Sequence, residues 1–147
     1  MRELVQQFME IFDGLDRAYG TYIVKESRAD GKRIGEAKTL KKPVTIELWE
    51  DHLLGKQAIG IIPIKDNSKC KFGAIDIDVY IGLDLPNIVK QINKLGYPLI
   101  PCRSKSGGCH LYLFMKEEIS ADILQNKLKE MAGVLGYGNC EIYPRQT

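Results

Sequence analysis

The chain lacks any run of about 18 apolar residues and any signal-like N-terminus, so it is expected neither to cross a membrane as a helix nor to be exported. It also lacks C-x-x-C spacing: its four cysteines, Cys70, Cys102, Cys109 and Cys140, stand apart. Zinc coordination and a disulfide framework therefore find no support, and the cysteines read as reduced, mostly buried thiols. Cys109 and Cys140 neighbour residues singled out below and are placed to line a site. Internal repeats and low-complexity segments are absent, and the net charge of +2 is too small to announce a nucleic-acid binder by itself. A chain of 147 residues that is 44% hydrophobic is long enough to bury a core. The expectation is one soluble cytoplasmic domain over residues 1–147.

Within that frame the segment Phe72 to Tyr80, FGAIDIDVY, is the most informative. Side chains alternate along a strand, so Asp76 and Asp78 project to one face while Ile75, Ile77 and Val79 project to the other. Like charges so close repel unless a cation neutralises them, and oxygen-only ligands favour Mg²⁺ or Mn²⁺ over zinc. Asp-x-Asp also arises at strand ends where the carboxylates merely face water, so the pair needs context.

The context is RSKSGGCHLYLF, Arg103 to Phe114. A polar turn (Ser104, Lys105, Ser106, Gly107, Gly108) separates the apolar run Tyr97 to Cys102 from an alternating strand, Cys109 to Phe114. Glycines admit close approach of backbone amides to a phosphate, serine and lysine donate to it, and His110 stands at the mouth of the second strand. An ordinary Ser/Gly hairpin would share this composition. Its position after the Asp pair, separated by a helix and a strand, favours an anion cradle.

These motifs together resemble the catalytic domain of the archaeo-eukaryotic primase superfamily, the primase-polymerases, including those of TOTE conflict systems and CRISPR-associated loci. Asp76 and Asp78 match its Asp-x-Asp. Ser106, Gly107, Gly108, Cys109 and His110 match its Ser-x-His turn with one or two extra residues. Glu141 in CEIYPRQT is similar to its third acidic residue, with Glu in place of the commoner Asp. The resemblance runs from about Ala58 to the end. It implies an α+β fold with an RRM-like core, an antiparallel or mixed sheet backed by helices. Family members usually continue past the third motif, so the chain reads as a minimal form, a fragment or one domain of a larger polypeptide with further domains or partner proteins.

The resemblance further implies template-directed nucleotidyl transfer, a DNA primase or polymerase activity. Asp76, Asp78 and Glu141 would hold two Mg²⁺ or Mn²⁺ ions. Ser106 and His110, with Arg103, Lys105 and the Gly107 and Gly108 amides, would hold the nucleoside triphosphate, and Arg145 would reach the same phosphates or the template. The other expected partner is single-stranded or primed DNA, with no membrane. Two rivals stay open: a metal-dependent nuclease, which has little need of a triphosphate cradle, and a catalytically silent nucleic-acid-binding module.

Charge along the chain is uneven. Residues 25–42 carry seven basic side chains (Lys25, Arg28, Lys32, Arg33, Lys38, Lys41, Lys42) against Glu26, Asp30 and Glu36, an excess of four. The segment is expected to be a loop, either a backbone-gripping one with Lys32, Arg33, Lys41 and Lys42 on DNA phosphates or a solvated one. Elsewhere Leu4, Val5, Phe8, Met9, Phe12 and Leu15 predict an amphipathic helix over Arg2 to Leu15. A strand is expected at Thr21 to Lys25, and a helix at Thr45 to Leu54, capped by Thr45 and stopped by Gly55. His52 on that helix reads as a surface residue. Ala58 to Ile64 reads as a strand pairing with Phe72 to Val79 after a turn at Asp66 to Ser68. Leu85 to Leu95 reads as a helix ended by Gly96, Ala121 to Leu135 as a helix capped by Ser120, and Glu141 to Tyr143 as a last short strand.

Overall fold

The computed structural model describes residues 1–29 and 33–147. Its elements are α1 (Arg2–Ile11), β1 (Tyr19–Ser27), β2 (Arg33–Leu40), α2 (Ile46–Leu53), β3 (Lys69–Ile77), α3 (Leu85–Leu95), β4 (Ile100–Arg103), β5 (Cys109–Ser120), α4 (Ala121–Val134) and β6 (Glu141–Tyr143). The fold is α+β, with two antiparallel sheets: the hairpin β1–β2, and a four-stranded sheet in the order β4-β5-β3-β6.

Alternation along β3 sets the architecture. Ile75 and Ile77 are fully buried and join Leu111, Leu113 and Ile142 from the neighbouring strands on one face of the large sheet. There they pack with Ile88 and Ile92 of α3 and with Leu124, Leu128 and Met131 of α4. Burial of these branched side chains is the main stabilising term, about 1.5–3 kcal/mol for each. Asp84 caps α3 by accepting from the Asn87 amide, and Gly96 ends it in the left-handed conformation. Ser120 stands at the N-cap of α4, yet its side chain makes no capping bond; the Asp122 carboxylate accepts from the Ile123 amide instead.

The opposite face of the sheet receives α1. Phe12, just past its end, meets Phe72, Tyr112 and Phe114 edge-on at centroid separations of 5.2, 5.3 and 5.1 Å. Phe8 and Trp49 of α2 extend this aromatic layer. Lys65 binds it to the rest of the molecule, its ammonium lying 2.8 Å from Asp13 and 2.6 Å from Glu118.

Several expectations need correction. Helix α1 ends at Ile11, so Leu15 is not on it; the Leu15 amide instead donates to Ile62 at 2.8 Å. Ala58 to Ile64 is not a strand beside β3. It runs extended past β1, through reciprocal Gly20 and Gly60 backbone bonds of 2.8 and 2.7 Å and a Thr21 hydroxyl donated to the Ala58 carbonyl. The basic segment is not a loop: most of it is the hairpin β1–β2, where Lys25 pairs with Glu36 at 2.6 Å. Lys41 and Lys42 follow β2 and are exposed, Arg33 opens β2, and Lys32 and Asp30 lie outside the described residues.

Candidate active site

Antiparallel register, rather than sequence proximity, brings the three motifs together. Asp76 on β3 is paired with His110 on β5 and, on its other side, with Glu141 on β6, while Cys102 of β4 pairs with His110. One transverse row of the sheet therefore reads Cys102, His110, Asp76, Glu141, and residues in one row share a face. That face is the one opposite the α3/α4 core. His110 Nε2 lies 3.2 Å from Asp76 Oδ1. Asp78 falls just beyond the end of β3, exposed, where the Tyr80 hydroxyl donates to it at 2.6 Å. Val79 is likewise past the strand and exposed, so the expected apolar face stops at Ile77.

The carboxylates sense one another. Burial raises the pKa of Asp76 above the ordinary range, nearby His110 opposes that rise, and the charges of Asp78 and Glu141 add to it. Glu141 is held below its ordinary range by Arg145, 2.6 Å away, and by the Tyr143 hydroxyl, which donates to it at 3.0 Å. Arg145 also reaches the Tyr143 oxygen at 3.0 Å, so the structure places it on Glu141 and Tyr143. Among the described residues no three His, Cys, Asp or Glu side chains converge as a ready metal cage. The oxygen donors of Asp76 and Asp78 suit a hard divalent cation, with Glu141 turned aside toward Arg145.

The polar turn is the β4–β5 hairpin itself. Ser104 N–H donates to the Gly108 carbonyl at 3.0 Å and Gly107 N–H donates to the Ser104 carbonyl at 3.2 Å, closing a three-residue loop of Lys105, Ser106 and Gly107. Gly107 has φ +93°, which the last position of such a loop requires. A Cβ on Gly108 would meet the Ile77 carbonyl oxygen at 2.5 Å, so glycine is what lets β5 pass the end of β3. Of the two amides expected to face phosphate, that of Gly107 is thus committed within the turn. The Ser104 hydroxyl is buried and has no hydrogen-bond partner among the described residues. Arg103 ends β4, and Ser106 lies against the Tyr80 oxygen. Lys105 extends over the Tyr22 ring of β1, its ammonium 3.7 Å from the centroid, which joins the basic hairpin to the turn.

Among the cysteines, Cys109 faces the α3/α4 core and is fully buried, so it does not line the site. Cys140 is half-buried, its thiol pushed up by burial while the Asp78 backbone donates to it. The register adds several residues that no motif had singled out. Tyr112 lies with its hydroxyl 3.3 Å from His110 Nδ1, the Tyr80 hydroxyl donates to Asp78 and that of Tyr143 to Glu141, and Ala74 stands between Tyr112 and Tyr143 one row away. His52 was expected at the surface; it is half-buried against Trp49, its Nδ1 2.9 Å from the Gln57 carbonyl. It helps line a cleft of about 420 Å³ that runs from Asp76 and His110 to Phe8, Phe12 and Trp49.

A comparison with known families matches residues 5–134 of the 147 to the archaeo-eukaryotic primase domain of the TOTE conflict system. The chain belongs to that family. Its assignment to the primase-polymerase type of nucleotidyltransferases follows, and the matched span includes Asp76, Asp78 and the turn through His110 but stops before Glu141. No curated protein matches the chain. None of the helices among the described residues of this primase-family domain is long and apolar enough to cross a membrane.

Proposed function

We propose that the domain carries out template-directed nucleotidyl transfer from nucleoside triphosphates, on single-stranded or primed DNA. The observation that carries the reading is the shared sheet row: His110, Asp76 and Glu141 lie side by side at the end of the sheet where the β4–β5 turn projects. Mg²⁺ or Mn²⁺ held by Asp76 and Asp78, with Glu141 once released from Arg145, would supply charge neutralisation at the reacting phosphate.

The chain's own groups account for the remaining requirements. Lys105, Ser106 and His110, on and just after the turn, would grip the outer phosphates, and the Ser104 hydroxyl, buried without a partner among the described residues, supports a polar role for this turn. Arg103 adds positive charge beside it. In the reaction the acceptor's 3′-oxygen bonds to the α-phosphorus as the bond from that phosphorus to the β-phosphate oxygen breaks. The hydroxyl proton leaves to water and pyrophosphate departs toward the turn. A nuclease would have little need of such a turn, which favours transfer over hydrolysis.

The test is incubation with a DNA template, Mn²⁺ and labelled nucleotides, with and without a primer. Incorporation by the parent protein and at least a 100-fold loss in Asp76→Asn is the expected result, since loss of an outer-shell partner alone costs 10- to 100-fold, on the order of these values. Incorporation undiminished in an Asp76→Asn, Asp78→Asn double variant would overturn the reading.

A further inference from the structure

We propose that the aromatic cleft beside Asp76 is the slot for the base of the acceptor nucleotide, the one whose 3′-hydroxyl attacks. This rests on the nucleotidyl-transfer reading and adds to it a binding site for the second substrate. The first observation is the next row of the sheet. Ala74 is paired with Tyr112 on one side and Tyr143 on the other, two residues along from the row of Asp76. Strands lie about 4.8 Å apart, so the two tyrosine-bearing strands stand roughly 10 Å apart, with only a methyl group rising between them. Stacked aromatic pairs have centroids about 4.5–7 Å apart, so that width admits one planar ring between two others. Ala74, Tyr112 and Tyr143 all line the cleft, whose volume of about 420 Å³ lies within the usual range for small-molecule sites.

The second observation is direction. Along β5 the turn at Ser104 to Gly108 comes first, His110 follows, and Tyr112 comes two residues later. The carboxylate row thus lies between the turn and the slot. In-line displacement puts attacking and leaving oxygens on opposite sides of the phosphorus. If pyrophosphate leaves toward the turn, the attacking hydroxyl comes from the slot side, about 7 Å farther along the strand, on the order of one sugar. His52 gives the otherwise apolar wall a polar edge: its Nδ1 lies 2.9 Å from the Gln57 carbonyl, which can only accept, so Nδ1 donates there.

Trp49, the only tryptophan of the chain, lines the same cleft and reports on its contents by fluorescence. The experiment titrates the parent protein with guanosine and adenosine monophosphates, with a short dinucleotide, and with tripolyphosphate as the base-free control. The mononucleotides or the dinucleotide should quench Trp49 saturably, the first indicating capture of a free initiating nucleotide and the second of a strand end. Tripolyphosphate should not. Ala74→Leu fills the slot and should weaken this binding about tenfold or more, as loss of base stacking does elsewhere, while tripolyphosphate affinity, measured by calorimetry, shifts less than about twofold. Ala74→Ser, which leaves the slot open, should bind like the parent and controls for folding. Absence of quenching in the parent, or equal affinity in Ala74→Leu, would overturn the slot. A protein that keeps the slot but binds no triphosphate and incorporates no nucleotide would overturn the proposed function instead.

Discussion

Asp76 sits half-buried beside His110 with two further carboxylates in range, and burial is the chief cause of its raised pKa. An acid whose folded pKa is raised binds more protons folded than unfolded in the interval between the ordinary carboxylate value, about 4, and the raised one. Stability therefore falls as pH climbs through that interval, and the cost is complete above it. Asp76→Asn removes a charge that the fold holds at a disadvantage, so it should raise stability in urea unfolding at pH 7 even as it abolishes activity. The gain over the parent should vanish below about pH 4, where both side chains are neutral. A variant less stable than the parent at pH 7 would mean that the Asp76–His110 contact outweighs desolvation. The turn gives a second residue-scale expectation: His110→Ala and Ser106→Ala should each weaken triphosphate binding by about 10- to 100-fold, since a charge-assisted hydrogen bond is worth about 1.5–3 kcal/mol. Nucleoside binding should be unaffected, and calorimetry with both ligands checks the contrast. Residue types singled out Asp76, Asp78, His110 and Glu141 as candidates, and the register places His110, Asp76 and Glu141 in one row. They did not announce Arg145 on Glu141 or Tyr80 on Asp78, because those contacts depend on side-chain directions that spacing does not fix.

Local signals at the scale of elements were read well wherever the physics is local. Thr45 caps α2 through the Leu48 amide, Gly96 ends α3, and Glu141 to Tyr143 is a strand, whereas Ser120 makes no capping bond to α4 and the Asp84 cap of α3 was not anticipated. Failures came where long-range partners decide. Ala58 to Ile64 is as apolar and β-branched as a strand should be, yet its backbone bonds go to Leu15 and Gly20, leaving Ile59, Ile61 and Pro63 as one wall of the cleft. The amphipathic α1 was legible as a helix, whereas its seat on the face that carries Asp76 was not, since hydrophobic periodicity says only that a face is covered. That seat rests on Phe12, which touches three rings of the sheet. Phe12→Ala should destabilise the domain by about 2–4 kcal/mol, somewhat below the usual core value because the ring is half-buried. It should also open the far end of the cleft, and thermal unfolding together with Trp49 fluorescence measures both effects. Lys65 secures the same layer from below; Lys65→Ala, which leaves the half-exposed Asp13 and the exposed Glu118 without their cation, should lower the unfolding temperature less than Phe12→Ala does, because solvent screens both carboxylates.

Across the whole molecule the net charge of +2 conceals a division of labour between faces. The α3/α4 side of the large sheet is closed core, whereas the other side gathers the carboxylate row, the turn and the aromatic cleft, and the hairpin β1–β2 reaches this side through Lys105 on Tyr22. Lys38, Lys41 and Lys42, on and after that hairpin, are exposed, and on the proposed function they are candidates for contact with the template. Each phosphate neutralised on single-stranded DNA contributes about −0.7 to the slope of log affinity against log salt. Replacing Lys32, Arg33, Lys41 and Lys42 together with glutamine should therefore weaken DNA binding at low salt and flatten the slope by up to about 3, while nucleoside triphosphate affinity barely changes. Partial flattening would count the contacts actually made, because Lys25 shows that some charges of this hairpin are spent on a neighbouring carboxylate. A titration of a labelled oligonucleotide at several salt concentrations provides the measurement. An unchanged slope would show the hairpin to be solvated and would move the template path to Arg103, Lys105 and Arg145.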